Sequence, residues 1–242
     1  MDVFLTSDGL IALATLAALE IVLGVDNLVF IAIVSARLPA AQQPLARKIG
    51  LAAALLTRVA LLLTLSWIMG LTQPLFHVFG VGVSGRSIIL FAGGLFLIAK
   101  ATFEIYAKVE LSHEEAHAAR ERRGFAAVVI QIMILDLVFS LDSVITAVGM
   151  VDEIPIMVAA IVIAMGVMLL AMERVSHFVE AHPSVKLLAL AFLILIGVIL
   201  VADAFGHHVP KGYIYFSMAF SLGVELLNLR YRSRQARRRR AA

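Results

Sequence analysis

Seven apolar stretches run along the chain, at residues 10–35, 49–71, 86–106, 125–150, 155–175, 185–205 and 213–229, separated by segments that carry charge or Pro and Gly. A helix needs about 20 residues to cross the hydrocarbon core of a bilayer, whereas a barrel strand shows only about ten residues of alternating character. These stretches match the first pattern. Because a helix satisfies its own backbone hydrogen bonds, several can share one bilayer without exposing polar backbone to lipid. The pattern therefore predicts an all-α integral membrane protein with about seven transmembrane helices.

Composition removes the competing classes. Of the 242 residues, 62% are apolar and 15% charged, and mean hydropathy is +0.99. Soluble domains sit near 45–50% apolar and about 25% charged. The chain has no cysteine, which excludes disulfides, thiolate zinc sites and thiol catalysis. Its first ten residues, MDVFLTSDGL, carry two Asp and no Lys or Arg, so they lack the basic start of a cleavable signal peptide. The first stretch is accordingly expected to be a retained span.

Charge placement predicts the orientation. With the N-terminus outside, sixteen Lys and Arg fall on the cytoplasmic side, including Arg37, Arg47, Lys48 and seven Arg from Arg230 to Arg240; only Arg86 and Lys211 fall outside. Under the positive-inside rule that bias sets the topology as N-terminus out and C-terminus in. The Arg-rich tail at 230–242 reads as a topology anchor resting against anionic lipid, and nucleic-acid binding is not expected.

Two of the stretches repeat one motif. From Glu20 the chain reads EIVLGVDNLVFIAI, and from Asp136 it reads DLVFSLDSVITAV. Glu20, Asp26 and Asn27 thus correspond to Asp136, Asp142 and Ser143. Glu104 and Asp203 each close an aliphatic run in the third and sixth stretches. The chain divides into a first three-helix repeat (10–106), a cytoplasmic loop (107–124), a second three-helix repeat (125–205), a seventh helix (213–229) and a basic tail (230–242). An odd number of spans per repeat makes the second copy upside down relative to the first, the 3+3 inverted topology of many transporters.

The repeated acids need compensation. An ionised carboxylate at the membrane centre costs about 2.5–3.5 kcal/mol even on insertion scales, and four are present: Glu20, Asp26, Asp136 and Asp142. Arg58 and Lys100 are the only Lys or Arg in the stretches away from their ends, too few to neutralise all four. Protons or a bound metal ion would supply the balance. Glu20 and Asn27, seven apart, lie within about 20° on a helix, as do Asp136 and Ser143, whereas Asp26 and Asp142 are rotated by about 120°. Bringing both acids of a repeat to one point requires a local break, expected at Gly24 and Ser140. The resulting ligand set, Glu20, Asp26, Asn27, Asp136, Asp142 and Ser143, is all oxygen, and suits manganese, calcium or magnesium over zinc or copper. Metal binding to deprotonated carboxylates would couple ion and proton movement.

Other signals have simpler readings. His113-Glu-Glu-Ala-His117 fits the zinc-protease spacing but lies in the charged loop, without a third ligand. Met165, Met168 and Met172 form a stripe that bundle packing explains. Glu104 stands one turn after Lys100, which predicts a local ion pair. No Lys or Arg stands within one turn of Asp203 in the sequence, and it is read as either an accessory vestibule ligand or a hydrated group.

At its acidic motifs the chain resembles the TerC family of integral membrane proteins, named for tellurium resistance. EIVLGVDN and DLVFSLDS are similar to the family's paired acidic motifs; GGLFLIAKATFEI and HHVPKGYIYFSMAFSLGVELLNLR are similar to its third-span and C-terminal segments. The resemblance implies manganese(II) efflux across the bacterial inner membrane, kinship with LysE-type exporters, and metal binding by Glu20, Asp26, Asn27, Asp136, Asp142 and Ser143. The expected protein is a transporter and not an enzyme, with no prosthetic group. The alternative is a membrane partner that delivers metal to other proteins or scaffolds a metal or tellurite stress-response complex.

Overall fold

The computed structural model describes residues 6–64, 72–78, 81–110, 124–148, 153–207 and 209–241. Among them are seven helices: α1 (Ser7–Ser35), α2 (Gln43–Leu63), α3 (Gly85–Val109), α4 (Phe125–Val148), α5 (Ile154–Ala181), α6 (Pro183–Ala204) and α7 (Lys211–Ala241). A short antiparallel hairpin, β1 (Pro74–Val78) with β2 (Val81–Ser84), stands before α3, in a stretch the hydropathy pattern left as a connection. The 113–117 motif lies outside the described residues, as do the side chains of Asp26 and Asp142.

Local chemistry sets the helix starts. The Thr6 hydroxyl accepts from the Gly9 amide at 3.1 Å and caps α1, and the Ser84 hydroxyl accepts from the Ser87 amide at 3.1 Å and caps α3. Both leave fewer first-turn amides without a partner. Proline opens α2, α5 and α6, where its missing amide costs nothing. Pro183 also holds His182 in extended backbone, so α5 stops and α6 begins with one residue between them. At the far end of α6, Gly206 adopts φ 81°, and the amides of Gly206 and His207 close onto the Asp203 and Ala202 carbonyls. That left-handed turn suits glycine, and it redirects the chain toward α7.

By length and composition α1, α3, α5 and α6 can each cross a membrane, and α4 carries a 17-residue apolar run, Phe125–Leu141. Their outward faces carry large apolar side chains such as Phe103, Ile130, Leu170 and Val198, surface that lipid can cover.

Packing pairs α3 with α6, α1 with α5, and α2 with α4. The α3–α6 crossing is backbone on backbone: a Cβ on Gly94 would lie 2.6 Å from the Gly197 carbonyl oxygen, and one on Gly197 would lie 2.8 Å from that of Gly94. Small residues are what allow such approach between membrane helices. One face of α2 is buried, through Arg47, Gly50, Leu51, Ala54, Arg58, Leu61 and Leu62, with the i, i+3, i+4, i+7 rhythm of a helix stripe.

The expected breaks at Gly24 and Ser140 are absent. Both α1 and α4 run through those positions as unbroken helix. Gly24 instead leaves the space into which Met168 of α5 packs, where any β-carbon would collide with the thioether. Ser140 turns its hydroxyl to Asp136, one turn earlier. Met165, Met168 and Met172 are all core residues.

Candidate functional site

Three helices bring charged residues to the middle of the bundle. Glu20 stands halfway along α1, Asp136 halfway along α4, and Arg58 reaches between them from α2. Their relative exposures are 3%, 5% and 2%, so all three charges are removed from solvent. Arg58 Nη1 pairs with Glu20 Oε2, while Nη2 lies 3.2 Å and Nε 3.4 Å from Asp136 Oδ1. A planar guanidinium is suited to this, because its fork reaches two carboxylates at once and cannot lose its charge.

Polar neighbours complete the coordination of Asp136. Asn27 Nδ2 donates to Asp136 Oδ1 at 3.4 Å, and Ser140 Oγ donates to Oδ2 at 3.1 Å. Ser143 Oγ donates to the Ser140 carbonyl at 3.2 Å and stands beside the Glu20 carboxylate. Thus Glu20 and Asn27 from one motif meet Asp136 and Ser143 from the other. Asn27 Oδ1 is buried without a hydrogen-bond partner among the described residues, an acceptor left over in a cluster otherwise saturated.

A cavity of about 80 Å³ adjoins the cluster, lined by Asn27, Arg58, Ser143, Asp203 and Tyr215 among others. It has room for a few waters beside several polar groups. Asp203, near the C-terminal end of α6, therefore faces the same space as the central residues. Glu104 does not. It belongs to the end of the bundle where α1 gives way to α2, where it pairs with Arg37 and, at 3.5 Å, with Lys100.

That end holds a second network. Arg47 donates to Glu180 at 2.6 Å, to Gln43 at 3.0 Å and to Ser35 at 2.8 Å, joining α2 to the end of α5. Lys108 Nζ reaches the Pro183 carbonyl at 3.1 Å, joining α3 to the start of α6. Residues 30–35 of α1, directly beneath, are buried without interruption.

Two functional features escaped the motif reading. Arg58 is marked by the sequence as an in-span cation but not as the partner of both acids, and the Arg47–Glu180 link joins residues with no shared pattern. The signal for the first was available: a lone arginine among intramembrane acids must find one of them. Among the described residues, no three His, Asp or Glu side chains converge as a metal cage. The described part of the cluster offers two carboxylates, an amide and hydroxyls, all hard oxygen donors.

Residues 5–240 match the model of the integral membrane protein TerC family. A UPF0053 protein of Haemophilus influenzae is 54% identical over 224 residues, 92% of this chain and 94% of that protein. The UPF0053 inner membrane protein YgdQ of Escherichia coli is 53% identical over 219 residues, 90% of this chain and 92% of that one. The UPF0053 inner membrane protein YoaE of the same species is 51% identical over 216 residues, but they make up only 42% of its length. No solved structure matches. With a match that spans nearly its whole length, the chain belongs to the TerC family of integral membrane proteins.

Proposed function

We propose that this chain is a secondary transporter that exports a hard divalent cation, manganese(II), from the cytoplasm through a midplane carboxylate site. The observation that carries the reading is the meeting of Glu20 and Asp136, the leading acids of the two motif copies, at the centre of the bundle beside a cavity that Asn27, Ser143 and Asp203 also line. Asn27, with a spare buried acceptor, and Ser143 contribute further oxygen ligands. Asp26 and Asp142 are the remaining ligands in this reading, and Asp203 is an accessory group on the exit path.

Helix pairing supports the 3+3 inverted repeat. Exchanging α1 with α4, α2 with α5 and α3 with α6 converts the α1–α5 pair into α4–α2 and returns α3–α6 to itself. The names of YgdQ and YoaE, inner membrane proteins, support the same location for this chain, and in this reading the charge bias puts its N-terminus outside. In that orientation Asp203 marks the outer end of the cavity, and the Arg47–Glu180 pair closes the cytoplasmic end. The Arg-rich tail then lies against anionic lipid. Protons replace the metal on the carboxylates, so efflux follows a proton gradient.

The test is manganese(II) flux in proteoliposomes under an imposed pH gradient, for the parent and Asp142→Asn. Flux that follows the gradient and requires Asp142 is expected. A folded, oriented parent that moves no divalent ion would overturn transport and leave a metal-delivery partner as the better account.

A further inference from the structure

Arg58 is a permanent positive charge at the spot where the proposed cargo binds. An arginine cannot be neutralised by losing a proton, so in a buried site it must keep its acids or leave them for something else to balance. It holds one acid from each motif copy, Glu20 on α1 and Asp136 on α4, yet is itself carried by a third helix, α2. Arg58 also lines the cavity beside Asn27 and Ser143, which gives its side chain space to move away from the two acids.

A carrier faces a specific electrostatic problem here. With metal bound, the carboxylates are balanced; after release they must recross the membrane bare, protonated or paired. We infer that Arg58 is a resident counter-cation that balances Glu20 and Asp136 when the site is empty, and thereby permits the empty carrier to reorient. This inference rests on the carboxylate-site reading above and divides the charge of the empty site: Arg58 balances Glu20 and Asp136, and the replacing protons go to Asp26 and Asp142. A divalent cation entering the site competes with Arg58 for both acids, which weakens its binding and speeds its release. Removing Arg58 strengthens metal binding and strands the empty site.

The two steps can be separated with labelled manganese(II) and the full chain in proteoliposomes. Exchange of external against internal manganese requires only the loaded carrier, whereas net efflux into manganese-free buffer also requires the empty one to return. Relative to the parent, Arg58→Gln should lose net efflux on the order of a hundredfold, the population penalty of one bare carboxylate at the membrane centre, and lose exchange much less. Acidification should partly restore net efflux in that variant, because protons then remove the charge Arg58 balanced. A defect that is equal in exchange and efflux, or is unmoved by pH, overturns the role of Arg58 alone. Parent vesicles that show neither exchange nor efflux overturn the carboxylate site itself, and this inference with it. If Arg58→Gln does not fold, Arg58→Lys, which keeps the charge but not the two-pronged reach, should slow efflux more than exchange; equal slowing again overturns the inference.

Discussion

Arg47 and Arg58 lie on the same face of α2, eleven residues apart, within about 20° of each other and about 16 Å along the axis. Both donate to acids on other helices, yet their surroundings differ. Arg47 meets Glu180, whose side chain is 40% exposed, and shares its donors with Ser35 and Gln43. Arg58 meets Glu20 and Asp136, each about 5% exposed or less. Bulk water reaches Glu180 at the first site, whereas at the second only the small adjoining cavity has room for any. One helix face thus carries an inexpensive, replaceable link near its start and an obligatory one deeper in the bundle. The lesson is that an ion pair's consequence is set by what would solvate its members if it broke.

Arg58→Met should have the largest effect on that contrast. It leaves two buried carboxylates with no cation, and breaking a buried pair in this way costs about 3–5 kcal/mol, read as a loss of thermal stability in detergent. If the site binds metal, manganese(II) should raise the Tm of this variant more than that of the parent; a variant as stable as the parent without metal would mean that water reaches the cluster. Next is Glu20→Gln, which keeps shape and leaves Arg58 with Asp136. Its expected cost is about 1–3 kcal/mol, and manganese binding by calorimetry should weaken; unchanged binding would remove Glu20 from the ligand set.

Smaller effects sharpen the same comparison. Ser140→Ala deletes one donor to Asp136 while leaving the ion pairs, and should cost about 1 kcal/mol by the same unfolding measurement. Glu180→Gln should cost no more than about 1 kcal/mol, and that difference should vanish in high salt, since exposed pairs are screened. A salt-insensitive loss there would place the Arg47 link in the same class as that of Arg58.

Much of this arrangement is legible one residue at a time. Among the described residues the apolar stretches fall on the helices, and Pro44, Pro155 and Pro183 stand in the first turns of α2, α5 and α6. The seven-residue spacing of Glu20 and Asn27 does place both on the side of α1 that faces α4, where Asn27 reaches Asp136. The expected breaks at Gly24 and Ser140 came from requiring both acids of one helix to reach one point. The bundle instead brings one acid from each helix to Arg58, so neither helix has to unwind. Gly24 is small because Met168 needs the space, a reason that lies 144 residues away in the chain.

What the sequence determined by itself is therefore what depends on local solvent preference and local geometry: which segments prefer lipid, where helices start, which residues share a helical face, and that the acids recur. Only the tertiary structure decided that Arg58 joins Glu20 to Asp136, that Arg47 joins Glu180, and that Asp203 faces the central cavity. The physical reason is range. Helix formation and membrane partitioning act over a turn or a span, whereas charge compensation in a low-dielectric core is settled by whichever opposite charge the packing of distant helices brings within reach.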